Sequence, residues 1–338
     1  MKRLILALIA LVVIVTAAGA VWLLLGSEQP YKGYDGPEQF VEIPPGSGPA
    51  SIGRRLTDAG VVRDQLSFRV ALWRSGQARR LQAGDYRFEG PMSAREVIDK
   101  IARGDVFLRP ITFPEGLTIR QMSVIYEREG MGPAVDFARA AGNVALVRDL
   151  DAAARDLEGY LFPSTYSLPR KSSADQLIAQ MVTAFRDVLT AELVERATAR
   201  GLSVRELVTL ASLVEKETAK PEERPLVAAV YSNRLKIGMR MQCDPTVIYG
   251  LERAGRYTGN LTREDLGFDS PYNTYRYAGL PPGPIASSGR ASLEAAADPA
   301  DVPYLYFVSR NDGSHVFSST LDEHNRYVFE FQKKPSRH

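Results

Sequence analysis

Two glutamates close together at the end of an apolar helix are the first residues in this sequence that could do chemistry. The stretch from Leu207 to Gly250 reads LVTLASLVEKETAKPEERPLVAAVYSNRLKIGMRMQCDPTVIYG, and Glu215 and Glu217 end its predicted first helix. Removing a carboxyl from water raises its pKa, so it can stay protonated near neutral pH. Such a group can act as general acid and base on a neutral, hydroxyl-rich substrate such as a sugar chain.

Helical geometry does not choose between these two glutamates. Two residues correspond to about 200° around a helix, so Glu215 and Glu217 cannot act as a facing pair. The apolar stripe of the helix contains Leu207, Leu210 and Val214, and the glutamates lie on opposite sides of it at similar angles. Either glutamate could be the acid, and both could equally be ordinary solvated charges at a helix end.

Polar side chains suited to binding hydroxyl groups follow in predicted loops. The segment from Met241 to Tyr249 is dense with them, and the proline- and glycine-rich segment SPYNTYRYAGLPPGPIA forms a second, rigid loop. The aromatic loop LEGYLFPSTY adds one more carboxylate. The candidate substrate-binding residues in these loops are Gln242, Asp244, Thr246, Asn273, Tyr275 and Glu158.

The composition argues against other kinds of site. The 338 residues include 42 Lys plus Arg and 40 Asp plus Glu, so the basic excess expected of a nucleic-acid-binding protein is missing. With three histidines and no CxxC or HExxH pattern, we expect no metal site and no cofactor. Cys243, the single cysteine, is interpreted as a buried, inert thiol, and His315 and His324 as surface or packing residues.

The N-terminus predicts a membrane anchor. Lys2 and Arg3 precede an uncharged apolar run from Leu4 to Leu25, and a helix of that length spans about 33 Å, close to one bilayer core. The positive-inside rule places the N-terminus in the cytoplasm and the rest of the chain outside. A signal peptide cleaved after Ala20 is the alternative, but the apolar run continues past that site.

The remaining chain predicts an α+β protein with two units and no internal repeat. In the smaller unit we expect strands at Phe40–Ile43 and Gly84–Phe88, and helices from Ile52 to Gly60, over Leu66–Arg74 and after Ser93. In the larger unit we expect a strand at Leu108–Phe113, helices at Ile119–Arg128 and Pro133–Ala141, a long amphipathic segment at Ala174–Ala199, a hairpin around Asn311–Gly313, and a last helix at Leu321–Phe331.

The predicted boundaries are residues 1–3 for a cytoplasmic N-terminus, 4–25 for a transmembrane helix, 26–38 for a linker, 39–109 for the smaller unit and 110–334 for the larger one.

Several long strings resemble one family. ASLVEKETA, NRLKIGMRMQCDPTVIYG, PYNTY, GLPPGPIA, EGYLFPSTY and HVFSSTLDEHN closely resemble the YceG-like endolytic murein transglycosylases, and the resemblance covers essentially the whole chain. It implies one transmembrane helix in the inner membrane, a small LysM-like subdomain at 39–109 and a mixed α/β catalytic domain at 110–334 in the periplasm. It also implies that Glu217, the second glutamate of Glu-Lys-Glu, is catalytic. Cys243 departs from the family, where we expect a small polar residue such as threonine.

The activity implied by the resemblance is that of a lyase. It would cleave MurNAc–GlcNAc bonds inside nascent peptidoglycan strands, leave 1,6-anhydro-MurNAc ends and so terminate elongation, with peptidoglycan synthases as possible partners. Hydrolytic glycosidases normally use two carboxyls roughly 5–9.5 Å apart, whereas a single glutamate suits a lyase. Two alternatives remain open: a hydrolytic muramidase with Asp244 or Glu158 as its second carboxylate, and a membrane-anchored, non-catalytic glycan-binding protein.

Overall fold

The computed structural model describes residues 3, 8–16, 19, 26, 28–218 and 220–333. It shows an α+β protein, as the sequence predicts. The predicted membrane helix Leu4–Leu25 lies partly outside the described residues. Within this range, residues 8–16 are described and helical. Among the described residues, no helix is long and apolar enough to cross a bilayer.

The chain divides into two compact units. Of the described residues, the smaller unit comprises those up to Arg109 together with Ser167–Lys171, and the larger comprises Pro110–Tyr166 and those from Ser172 onward. The elements of the smaller unit are β1 (Gln39–Ile43), α1 (Pro49–Asp58), α2 (Gln65–Ser75), β2 (Gly84–Phe88) and α3 (Ala94–Arg103).

The smaller unit has its own hydrophobic core. β1 and β2 pair antiparallel with Val41 opposite Tyr86, and their inner side chains pack with those of the three helices. α3 begins with the predicted capping box, in which the Ser93 and Glu96 side chains each accept a backbone N–H at the start of the helix. The predicted helices and strands of this unit are therefore confirmed, with ends that differ by at most three residues.

Gly53 allows α1 and α2 to pack closely. A Cβ at this position would lie 2.7 Å from the Cδ1 atom of Phe68, whose ring is fully buried in the core. Since real carbon atoms do not approach so closely, any side chain larger than hydrogen forces the two helices apart.

We expect Gly53→Ala to destabilise the smaller unit by about 1–3 kcal/mol, because it overpacks a filled core. Gly90→Ala is the matched control, since nothing lies within 4 Å of a Cβ built there. Hydrogen–deuterium exchange of α1 and α2 measures the effect. Equal protection in both variants would show that the Gly53 contact is not tight.

The larger unit is mainly helical and has only short, two-stranded sheets among its described residues. β3 pairs with β4, and β5 pairs antiparallel with β6 in the predicted hairpin. Two strands, β3 (Leu108–Thr112) and β4 (Thr165–Pro169), each have residues assigned to both units. The remaining elements are α4 (Ile119–Arg128), α5 (Ala134–Ala140), α6 (Ala174–Val188), α7 (Ala191–Ala199), α8 (Val204–Glu217), α9 (Arg224–Lys236), α10 (Asp244–Arg253), α11 (Arg290–Ala297), β5 (Tyr306–Ser309), β6 (His315–Ser318) and α12 (Leu321–Val328), which continues as a π-turn over Phe329–Lys333.

The structure divides one predicted segment into two helices and corrects one predicted loop. The amphipathic segment Ala174–Ala199 is two helices, because the Thr190 hydroxyl accepts the N–H of Leu193 and starts α7. Most of the predicted loop Met241–Tyr249 is helical, since α10 begins at Asp244. An acidic residue followed by Pro245 favours a helix start, so that cue was present in the sequence.

Helix α8 is the central element of the larger unit. All residues from Leu207 to Val214 are buried, so the helix is enclosed on every side rather than along one stripe. It packs against α9, α10 and α11. Its C-terminus therefore brings Glu215 and Glu217 to the place where these helices meet.

Candidate active site

Glu217 is the last residue of α8, and one of its carboxyl oxygens is held by two neighbouring side chains. Oε2 accepts a hydrogen bond from the Tyr231 hydroxyl at 3.1 Å and one from the Cys243 thiol at 3.6 Å. Tyr231 on α9 and Cys243 just before α10 are both buried, whereas Glu217 is partly exposed. Among the described residues, no hydrogen bond reaches Oε1. Oε2 is therefore the carboxyl oxygen that these two side chains hold in place.

The surroundings of Glu217 favour its protonated form. Burial raises the pKa of Glu217, and this effect outweighs the Tyr231 hydrogen bond and the charge of His315, which lower it. The nearby charge of Asp244 raises the pKa further. Burial also raises the pKa values of Tyr231 and Cys243 well above their usual ranges, so both remain protonated donors.

Glu215 is paired with a backbone N–H and with an arginine side chain. Its Oε2 accepts the backbone N–H of Gly289 at 3.0 Å, and its Oε1 lies 3.7 Å from a guanidinium nitrogen of Arg224. Only 6% of the side chain is exposed, so Glu215 is not a solvated helix-end charge. Arg224 also lies 3.7 Å from Glu115 and donates to the Ser292 hydroxyl at 3.1 Å. Glu215 thus belongs to an ion-pair network that joins α8 to α9 and α11.

Asp244 and Tyr275 form a polar pair beside Glu217. The Tyr275 hydroxyl donates to Oδ1 of Asp244 at 2.6 Å. Burial and this hydrogen bond raise the pKa of Tyr275, which therefore stays protonated. Asp244 is exposed and lies close enough to Glu217 for its charge to act on that carboxyl. The structure therefore brings these three predicted residues together.

Gln242 adopts an unusual backbone conformation next to this pair. Its φ of 50° lies in the left-handed region, which residues other than glycine seldom adopt and which is often found at functional sites. The backbone N–H of Gln242 donates to the carbonyl of Thr274 at 3.3 Å. Its side chain is exposed at the turn that leads into Cys243 and α10.

Two predicted site residues are buried and have internal partners. The Thr246 hydroxyl donates to the Cys243 carbonyl at 2.6 Å and lies 2.9 Å from the Thr274 hydroxyl. The Asn273 amide donates to two backbone carbonyls in the segment before it, and its oxygen accepts the N–H of Tyr275 at 2.9 Å. The structure places Thr246 and Asn273 behind the site, where they fix the Gln242 and Tyr275 segments.

Glu158 belongs to a different cluster. Its carboxylate accepts the backbone N–H of Ile119 at 3.1 Å and the hydroxyl of Tyr249 at 3.2 Å. Burial, reinforced by the charge of Asp156, raises its pKa to about 8. Glu158 borders a 610 Å³ cavity that also has Arg205 in its wall. In the described part of the chain, none of its hydrogen-bond partners is also hydrogen-bonded to Glu217.

Sequence patterns do not reveal Tyr231 or a hydrogen-bonded pair next to the site. The ring nitrogen Nδ1 of His315 lies 2.7 Å from Oε2 of Glu223, and the backbone N–H of His315 donates to the other oxygen at 2.9 Å. Glu223 also accepts the hydroxyl of Thr218, the residue after Glu217, at 3.1 Å. No local pattern marks these partners, because His315 on β6 is distant in sequence and the chain turns after Glu217 before it reaches Glu223 and Tyr231.

The geometry supports one kind of chemistry by these side chains. A desolvated carboxyl at the end of a buried helix can give up and take back a proton next to polar groups that bind hydroxyls. No three His, Cys, Asp or Glu side chains in the described ranges converge as metal ligands would. The fold and site define an α+β protein in which a glutamate with a raised pKa ends a buried helix.

Comparison with known proteins identifies the family. The model of the YceG-like family matches residues 41–330, and the chain belongs to that family. It is 32% identical over 305 residues to the endolytic murein transglycosylase of Bacillus subtilis, covering 85% of this chain and 82% of the relative. A protein of the same name from Streptococcus pneumoniae D39 is 31% identical over 321 residues, which cover 86% of this chain but 58% of the relative. The crystal structure of a YceG-like protein from Listeria monocytogenes matches with a TM-score of 0.58 and 33% identity, over 86% of this chain and 99% of that one.

Replacing each glutamate by glutamine should change stability in opposite directions. The folded-state pKa of Glu217 is raised, so its ionisation disfavours folding at pH values above the unfolded pKa of about 4.3. Glu217→Gln removes that effect and should raise the melting temperature at pH 7 but not at pH 4. Glu215→Gln should cost about 1–3 kcal/mol because it weakens the buried Arg224 network.

Thermal unfolding of both variants between pH 4 and pH 8 tests this pair of expectations. The wild-type protein is measured alongside at each pH. A melting temperature of Glu217→Gln below that of the wild type at pH 7 would contradict a raised pKa for Glu217.

Proposed function

We propose that this protein is an endolytic peptidoglycan transglycosylase, a lyase that cuts MurNAc–GlcNAc bonds and leaves 1,6-anhydro-MurNAc ends. The observation that carries the proposal is the single carboxyl of Glu217, with a raised pKa and one oxygen held by Tyr231 and Cys243. The name of the B. subtilis and S. pneumoniae relatives supports it.

Glu217 serves as acid and then as base. Because Oε2 accepts two hydrogen bonds, the proton of the neutral carboxyl belongs on Oε1. Glu217 gives this proton to the glycosidic oxygen as the bond to the muramyl C1 breaks and positive charge develops there. The muramyl C6 hydroxyl oxygen then bonds to C1, and its proton returns to Glu217. No water is consumed, and the enzyme ends in its starting state.

The environments of the other carboxylates favour this reaction over hydrolysis. A hydrolytic muramidase needs a second carboxylate to activate water or attack the sugar. Oδ1 of Asp244 accepts a hydrogen bond from the Tyr275 hydroxyl. The Glu158 carboxyl accepts hydrogen bonds from the Ile119 N–H and the Tyr249 hydroxyl. An intramolecular C6 nucleophile removes the need for either of them in the reaction.

The predicted binding residues take two roles in this proposal. Asp244 and Tyr275, which lie near the Glu217 carboxyl, contact the sugars beside the cleaved bond, together with exposed Gln242 on the turn before Cys243. Thr246 and Asn273 support them from behind through their buried hydrogen bonds. Glu158 acts at a distance from the cut, where its arginine-bordered cavity suits an anionic part of the substrate.

The proposal places the protein at the inner membrane, close to peptidoglycan synthases. Leu4–Leu25 anchors the chain once in the inner membrane, with residues 1–3 in the cytoplasm and the rest in the periplasm. The linker 26–38 leads to a LysM-like subdomain at 39–109 and a catalytic domain at 110–334. Cutting nascent strands close to the membrane separates them from peptidoglycan synthases, which terminates their elongation.

Products of digestion distinguish the proposed reaction from its alternatives. We expect purified glycan strands to yield fragments with 1,6-anhydro ends, one water lighter than hydrolysis products, from cuts inside strands. Glu217→Gln should lower turnover about 10²–10⁴-fold, because it cannot transfer a proton. Mass spectrometry of the fragments and turnover measurements test both expectations.

Strands with a blocked muramyl C6 hydroxyl provide the control. They should resist cleavage, because that oxygen is the nucleophile. Hydrated reducing ends, or unchanged cutting of blocked strands, would favour a muramidase that uses Asp244 or Glu158. No cleavage of any strand by the folded protein would favour the non-catalytic glycan-binding alternative.

Tyr231→Phe should move the pH dependence of turnover. The Tyr231 hydrogen bond stabilises ionised Glu217, so its loss raises the pKa of Glu217 further. The fall in activity on the basic side should therefore shift to higher pH. Tyr277→Phe is a matched control, since the Tyr277 hydroxyl bonds to Asp269 at 2.8 Å. An unmoved basic limb in Tyr231→Phe would show that another group is the acid.

A further inference from the structure

The outer face of α2 carries an exposed apolar stripe. Leu66 is 50% and Trp73 82% exposed, and Val70 lies between them on the same helical face. Together with Pro49 and Ala50 of α1 they border an open groove of 900 Å³. A tryptophan exposed to this extent beside other apolar side chains marks a surface that contacts something apolar.

The segment that carries this stripe has charges of one sign. Residues 65–83 contain four arginines and no aspartate or glutamate. Arg69 lies on the stripe itself, and Arg79 and Arg80 follow α2; all three are exposed. In the described part of the chain, no carboxylate forms an ion pair with any of these three. An apolar stripe with an arginine rim complements an anionic phospholipid surface.

A glycan strand fits this surface less well. Sugars need several side chains that donate and accept hydrogen bonds in fixed positions. The groove beside the stripe is bordered mainly by apolar side chains, and Gln65 is its only amide among the described residues. Arginine donates but does not accept hydrogen bonds.

The structure also places the stripe next to the segment that follows the proposed anchor. Glu28 forms an ion pair at 3.1 Å with Arg74, the neighbour of Trp73 on α2. Leu25, the last residue of the apolar run, precedes Glu28 by three residues, which rise about 5 Å as a helix, the conformation of Gly26 and Glu28. The headgroup layer on each side of a bilayer core is about 5–8 Å thick. The stripe is therefore within reach of that layer.

We propose that the Leu66–Val70–Trp73 stripe inserts into the headgroup region of the periplasmic leaflet, where Arg69, Arg79 and Arg80 bind anionic phospholipids. This inference rests on the proposed anchor at Leu4–Leu25. It makes the smaller unit a second membrane contact. The unit would then be held on the bilayer surface instead of moving freely on the linker 26–38.

Tryptophan fluorescence of the full-length protein tests the proposal. Trp22 and Trp73 are its two tryptophans, so Trp22→Phe leaves Trp73 as the only one. The protein is reconstituted in vesicles of phosphatidylcholine and phosphatidylglycerol with or without brominated acyl chains, and flotation measures its incorporation. We expect a blue-shifted Trp73 emission that loses intensity in the brominated vesicles.

Each outcome has a distinct meaning. Failure to float would contradict the anchor, and this inference with it. Flotation with unquenched, water-like Trp73 emission would contradict the stripe contact alone. Recovery of the emission on adding glycan strands would assign the surface to glycan instead. Equal quenching in vesicles of phosphatidylcholine alone would contradict binding of anionic lipid.

Charge variants complete the design. Replacing Arg69, Arg79 and Arg80 together by glutamine should reduce the quenching, because the attraction to anionic lipid is lost. Arg95→Gln on α3 is the control and should leave it unchanged, since Arg95 lies outside the α2 segment. Unchanged quenching in the triple variant would contradict a role for these arginines, and circular dichroism confirms that each variant is folded.

Discussion

The structure depends on the fact that helix α8 is buried on all sides and ends in two carboxyl groups. Charged carboxylates in such a place are costly unless they have partners or become neutral. The protein uses both solutions. Glu215 stays within an ion-pair network with Arg224 and a backbone N–H, whereas Glu217 lies beside the protonated groups of Tyr231 and Cys243 and has a raised pKa.

The elements around the site keep this division of roles in place. Thr274 connects the loop before α10 to the Tyr275 segment through the N–H of Cys243 and the hydroxyl of Thr246. On the other side, Glu223 connects the residue after Glu217 to the β5–β6 hairpin. Hydrogen bonds within the fold therefore set the position of the Glu217 carboxyl, before any substrate contributes.

Local sequence signals predicted most of the elements but not the chemistry of the site. The capping box at Ser93 and the hairpin turn at Asn311–Gly313 depend only on neighbouring residues, so the sequence alone was enough to predict them. The difference between Glu215 and Glu217 is decided by Arg224 and Tyr231, which tertiary packing brings to them. Resemblance to a family could single out Glu217, but helical periodicity could not. Polarity likewise could not separate buried Thr246 and Asn273 from exposed Gln242 and Asp244.

The central claim is that the Glu217 carboxyl holds a proton at pH values where ordinary glutamates are ionised. A carbon-13 NMR titration of the glutamate-labelled protein measures this directly, with the Glu217 signal assigned by its absence in Glu217→Gln. We predict a titration midpoint clearly above the usual glutamate value of about 4.3. A midpoint at or below that value would contradict the account, because Glu217 would then be ionised near neutral pH and could not act as the acid.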